Sequence, residues 1–141
     1  MSRPSNVTCI TLGVKSLSKA AAFYQKLGFV AGPKMDGVAF FQMQGTVLSL
    51  FGMDALAKDA GLKKSWGKPG GCSLAINLAA KAAVDRFYAK ALKAGAQAQK
   101  PPEDAFWGGY SGYFMDPDGH LWELAWNPFW KLDRQGQVSL K

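Results

Sequence analysis

The chain has 141 residues, 48% of them hydrophobic and 19% charged, a composition that suits a globular domain large enough to bury its own core. No apolar run reaches the roughly 18 residues that a membrane span needs, and MSRPSNVTCITLGV lacks the basic-then-apolar order of a secretory leader, so a cytoplasmic protein with no membrane partner is expected. The net charge of +7 makes a basic surface, but no nucleic-acid-binding motif accompanies it, and nucleic acid is excluded as a partner.

In chain order, VTCITLGV has the β-branched content of a strand. Ser16 or Ser18 is placed to cap a helix whose apolar positions Leu17, Ala20, Ala21, Tyr24 and Leu27 recur at three and four, and Gly28 ends it. Three strands follow, around Phe29 to Ala31, in VAFFQM and in TVLSLF, the last two separated by the turn QGT. A short helix from Met53 to Lys58 and a Gly/Pro/Lys stretch lead into a second half. There CSLAINL is a strand and AAKAAVDRFYAKALKAG a helix that stops at Gly95. A short strand near Ala96 to Gln99, then SGYFMD and LWELAW, complete it, with the loop KPPEDAFWGGY inserted between the first two. In DPDGH, Pro117 sets φ and Gly119 supplies an unusual dihedral, so His120, the single histidine of the chain, reads as a turn residue.

The second half repeats the first. Phe23-Tyr24 falls on Phe87-Tyr88, an offset of 64, and Gly45 falls on Gly119, an offset of 74, which sets Phe40 with Phe114 and Leu50 with Leu124. The expected architecture is α+β, two βαβββ modules over residues 5–52 and 71–128 with a linker at 53–70 and a C-terminal tail at 129–141. Neither half closes a core alone, so the 141 residues form one domain, a curved mixed sheet with helices behind it and a cleft in front.

The paired modules, with ITLGVKSLSKAAAFYQKLGF at the start and GYFMDPDGHLWELAWNP near the end, resemble the vicinal oxygen chelate superfamily, which includes glyoxalase I, bleomycin-resistance proteins and extradiol dioxygenases. The likeness runs over the whole chain. It implies a glyoxalase-like fold, a homodimer, and a divalent metal held at four positions, on the first and last strand of each half. By register those positions are Cys9, Ser49, Ser73 and Glu123. A hard or borderline cation takes His, Glu, Gln or Asp donors, and of the four only Glu123 is one. No metal or other cofactor is therefore expected, with a divalent metal as the alternative.

Alternation along the strands puts small or polar residues on the cleft face: Val7 and Thr11 with Cys9, Ala75 and Asn77 with Ser73, Val47 and Phe51 with Ser49, Leu121 and Ala125 with Glu123. The other face carries Ile10, Leu12, Leu48, Leu50, Trp122, Leu124 and Trp126 for packing under the helices. Cys72 has the parity of that core face, so Cys9 and Cys72 are expected as unpaired thiols. The inserted stretch DAFWGGYSGY carries Phe106, Trp107, Tyr110 and Tyr113; Trp107 and Tyr110 are expected over the ligand, with aromatics tucked onto the core or a partner subunit as the equal alternative. The lysine cluster Lys58, Lys63, Lys64 and Lys68 reads as a solvated loop, with an anion patch beside Trp66 as the sharper alternative.

The function expected is binding of a small organic molecule, in the glyoxalase/bleomycin-resistance manner, without the usual catalytic metal. The alternative is a glyoxalase-like lyase, isomerase or dioxygenase with Glu123 as general base or metal ligand. A structural or regulatory dimer is the third reading.

Overall fold

The same five elements form twice, and local chemistry sets where each begins and ends. In the computed structural model, residues 6–140 are described; the expected module start at residue 5 and the last residue of the tail, 141, lie outside them. Contacts cluster into two units, Met1–Lys68 and Pro69–Lys141.

In the first unit, β1 (Cys9–Val14) leads to α1 (Leu17–Lys26), and β2 (Val30–Ala31), β3 (Val38–Gln42) and β4 (Val47–Gly52) follow. Ser16 caps α1, its hydroxyl accepting from the Lys19 N–H at 3.3 Å. The strands order as β1-β4-β3-β2, with β1 parallel to β4 and the other pairs antiparallel. Leu12, Val14, Phe41, Leu48 and Leu50 are buried with Phe23, Tyr24 and Leu27 of the α1 segment, so the core lies between α1 and one face of this sheet. Tyr24 stacks on Phe29 at 5.5 Å and meets Phe41 at 6.0 Å. The short helix α2 (Met53–Asp59) packs against β1 and β4 and buries Ala57, and a 3-10 turn spans Lys64–Gly67.

The second unit repeats this order with β5 (Ser73–Asn77), α3 (Lys81–Ala94), β6 (Gln97–Asp104), β7 (Tyr110–Met115) and β8 (Leu121–Trp126), arranged β5-β8-β7-β6. Gly95 ends α3 in the left-handed conformation at φ 116°. Phe114, Trp122 and Leu124 are buried with Val84, Tyr88 and Ala91 of α3, and the Phe114 and Trp122 rings stack at 6.4 Å. β6 runs five residues past the expected end at Gln99. Two register shifts against β7 let it absorb the prolines of KPPED, so the inserted loop is only the turn between Asp104 and Tyr110.

One expected register is corrected. Thr11 pairs with Ser49 in the first sheet, and Ala75 pairs with Glu123 in the second, as the offsets of 64 and 74 require. The middle hairpins differ. Gln42 pairs with Val47, whereas Met115 pairs with Leu121, so the second turn holds one more residue. The counterpart of Phe114 is therefore Phe41, not Phe40; both are buried, and Phe40 corresponds to Tyr113.

Candidate functional site

In each sheet the face turned away from its helix carries the positions singled out in the sequence. In the first sheet Cys9 and Thr11 lie on the edge strand β1, exposed, with Cys9 Sγ 3.7 Å from Thr11 Oγ1. Ser49 sits on the central strand between Thr11 and Phe40 and is buried. Phe51, two residues on, is half-buried on the same face. Parity thus brings Cys9, Thr11, Ser49 and Phe51 together within this module.

In the second sheet, a row runs straight across the strands: Lys100 on β6, Tyr113 on β7, Glu123 on β8 and Ala75 on β5. Tyr113 stands directly opposite Glu123 across the strand pair, and the carboxylate raises its ionisation. Ser73 is exposed, one step along β5 on the same face. Lys100 is itself paired with Glu103 at 3.2 Å. Tyr113, read in the sequence as one aromatic of the inserted loop, lies instead on β7 in the row of Glu123. The offset of 74 set Phe40 with Phe114; the signal that would have set Phe40 with Tyr113 was the extra residue in the turn of DPDGH.

Three expected placements are corrected or refined. Tyr110 lies on the opposite face from Glu123, because it pairs with Trp126 and not with an odd-numbered neighbour on β8. Its hydroxyl donates to Asp85 of α3 at 2.8 Å, and Lys81 of α3 sits 5.5 Å over its ring while pairing with Asp104 at 2.7 Å. Tyr110 is a clasp between helix and sheet. Trp107 lies in the turn between β6 and β7 with its ring folded onto Gly109, so close that a Cβ there would fall 1.9 Å from the ring. Cys72, expected on the core side, is exposed because β5 begins one residue later, at Ser73; both cysteines are free.

His120 is a turn residue, as expected. Its main-chain N–H donates to Asp116 Oδ1 at 2.9 Å, and its carbonyl accepts from the Asp116 N–H at 2.9 Å. Gly119 takes φ 92°.

The Glyoxalase/Bleomycin resistance protein/Dioxygenase superfamily model matches residues 7–124. The chain belongs to this superfamily. Among solved structures, this superfamily member is similar to a glyoxalase-related enzyme from Fulvimarina pelagi, with 34% identity, 97% of this chain and 99% of that chain covered, and a TM-score of 0.91. It is also similar to a glyoxalase/bleomycin resistance protein/dioxygenase from Nocardioides, with 28% identity, 89% and 85% coverage and a TM-score of 0.73. A lactoylglutathione lyase from Agrobacterium tumefaciens is 25% identical over 93% of this chain and 100% of that chain, with a TM-score of 0.72. A search of curated proteins gives no match.

The donor set of this superfamily member does not fit a divalent metal of the family type. Of Cys9, Ser49, Ser73 and Glu123, two are hydroxyls and one a thiol, which leaves a single carboxylate. Among the described residues no group of three His, Cys, Asp or Glu side chains is placed to hold a metal ion.

Three tyrosines of this superfamily member ionise above the usual value of 10.0. For Tyr113 the causes are burial first, then the charge and hydrogen bond of Glu123, offset in part by Lys100. For Tyr88 burial dominates, offset by the Gln99 main chain, and for Tyr110 the hydrogen bond to Asp85 dominates. All three folded values are raised. Their stabilising contribution is thus complete below the unfolded value near 10 and is lost as pH rises through the raised folded values. A tyrosinate absorbance titration is expected to show the folded protein ionising at higher pH than the urea-unfolded chain. Coincident curves would contradict this.

Proposed function

We propose that this chain is a small-molecule-binding protein of the glyoxalase/bleomycin-resistance type that works without the family's catalytic metal. The observation that carries the reading is the donor set itself, in which Glu123, opposite Tyr113 on the neighbouring strand, is the one carboxylate among the four family positions. Hydroxyls at Ser49 and Ser73 are weak metal donors at neutral pH, and a thiolate at Cys9 suits softer ions than a carboxylate does. Small side chains around the Tyr113–Glu123 pair, Ala75 and Ala125, leave room for an organic ligand on that face. The homodimer and the cytoplasmic location expected from the sequence belong to the same reading.

Elemental mass spectrometry tests it, on protein purified without chelator and soaked in Mn, Fe, Ni and Zn salts. Wild type and Glu123→Gln are expected to carry the same background metal. Metal near one equivalent per chain, lost in Glu123→Gln, would overturn the proposal.

One observation favours a second reading, a metal-free lyase or isomerase: Tyr113 stands beside Glu123 as a potential partner in proton transfer. Glyoxalase-type turnover by metal-depleted protein, abolished in Glu123→Gln, would establish it over simple binding.

A further inference from the structure

The first sheet leaves a groove on its α1 side, the face opposite Ser49. Ala31 pairs with the buried Phe41, and alternation puts Ala39 on the same face. Beyond Phe41 the edge of that face is therefore alanine, and α1 contributes only Ala21 and Gln25 above it. The hairpin also widens there. Ala31 pairs with Phe41 and the Gly32 N–H donates to the Phe40 carbonyl at 2.7 Å, but Met35 pairs with Val38. The first arm of the hairpin thus holds one residue more than the second, and the surplus falls at Pro33 and Lys34. The groove has a volume of about 560 Å³, within the roughly 300–1,000 Å³ of small-molecule sites. The charged groups that line it are one ammonium, Lys34, and one carboxylate, Asp36. Both are exposed, and among the described residues neither forms a salt bridge, with the other or with any third group.

We propose that this groove binds a small zwitterion with an apolar body, of the class of the hydrophobic α-amino acids. Its carboxylate lies on Lys34, its ammonium on Asp36, and its side chain on Ala21, Ala31 and Ala39. The groove belongs to the first unit and Glu123 to the second, so the inference does not depend on the metal-free reading. A ligand with both charges completes two charge-assisted contacts. An amine without a carboxylate leaves Lys34 unanswered and is repelled by it, and a carboxylate without an amine meets Asp36 in the same way. Both contacts lie at the surface, so each contributes a few-fold in affinity, and burial of the apolar body against the alanines supplies the rest. The Gln25 amide, which can donate or accept, adds an uncharged polar contact on the helix side.

The test is a heteronuclear NMR titration of the full chain, at low ionic strength, with three probes that share one ring and linker: phenylalanine, 2-phenylethylamine and 3-phenylpropionate. Phenylalanine is expected to shift the resonances of Ala21, Ala31, Lys34 and Asp36, and to bind about three- to fivefold more tightly than either singly charged probe. Lys34→Gln is expected to erase its advantage over phenylethylamine, and Asp36→Asn its advantage over phenylpropionate. Added salt is expected to shrink both advantages. Ala31→Phe fills the groove and is expected to lose all three probes. These substitutions fall on exposed positions, so each variant folds. Equal affinity for the three probes, or an order that survives both charge substitutions, overturns the zwitterion assignment. No binding by any probe, shifts on the Thr11 and Ser49 face instead, or undiminished binding in Ala31→Phe overturns the site itself.

Discussion

Replacing Phe41 with alanine is expected to cost about 3–5 kcal/mol of stability, and replacing Phe40 clearly less. The two neighbours are chemically identical and both lie in the strand VAFFQ. Phe41 is 1% exposed, pairs with Leu48, and its ring meets Tyr24 at 6.0 Å and Phe29 at 6.4 Å. Removing it empties a site walled by α1, whose backbone does not collapse to fill the space, so a cavity penalty adds to the lost transfer energy. Phe40 is half-buried on the other face, opposite Ser49. Its loss removes contacts with small or polar neighbours and leaves the helix–sheet core intact. Urea denaturation of the two variants, with unchanged slopes, measures the difference. Equal losses would mean that the hairpin is registered one residue away from the pairing described.

Asp116→Ala is expected to lose about 2–4 kcal/mol, and Asp116→Asn less than half of that. Asp116 is 2% exposed, and its Oδ1 accepts from the main-chain N–H groups of Asp118 and His120, at 2.9 Å each. Alanine strands both donors, and each unsatisfied buried group costs on the order of 1–3 kcal/mol, lessened where the turn admits water. Asparagine keeps one oxygen in place and gives up only the charge. The carboxylate thereby sets the length of this turn, and with it the pairing of Met115 with Leu121 and of Tyr113 with Glu123. Thermal unfolding checks the stability, and the loss of the Tyr113–Glu123 contact in Asp116→Ala would appear as a lowered tyrosine ionisation, since Glu123 raises it. A variant as stable as the wild type would remove Asp116 as the organiser of the turn.

These two sites mark where sequence reasoning reaches its limit. The helix over Leu17–Lys26 was legible because its apolar residues recur at helical spacing and Ser16 supplies the cap. The faces carrying Cys9, Thr11 and Ser49 in the first sheet and Glu123 in the second were legible because a strand alternates with a period of two, so one buried neighbour in each, such as Leu50 or Leu124, assigns the parity of the rest. Tyr110 was misplaced for a related reason. Read as part of a loop, it had no parity; once β7 begins at Tyr110, alternation from Phe114 turns it toward α3. β6 was read too short because two prolines normally end a strand, and the irregular register that tolerates them is a property of the pair β6–β7, not of either segment alone.

From the sequence by itself came the doubled βαβββ order, the superfamily, and a set of family metal positions with one carboxylate among two hydroxyls and a thiol. Each depends on residue identity and on spacing within a single element, and both are local quantities. Only the tertiary structure decided that Tyr113 stands opposite Glu123, that Phe41 rather than Phe40 fills the first core, and that Tyr110 clasps α3. Pairing across a hairpin depends on how many residues the turn consumes, and a one-residue difference moves every partner on the returning strand to the other face.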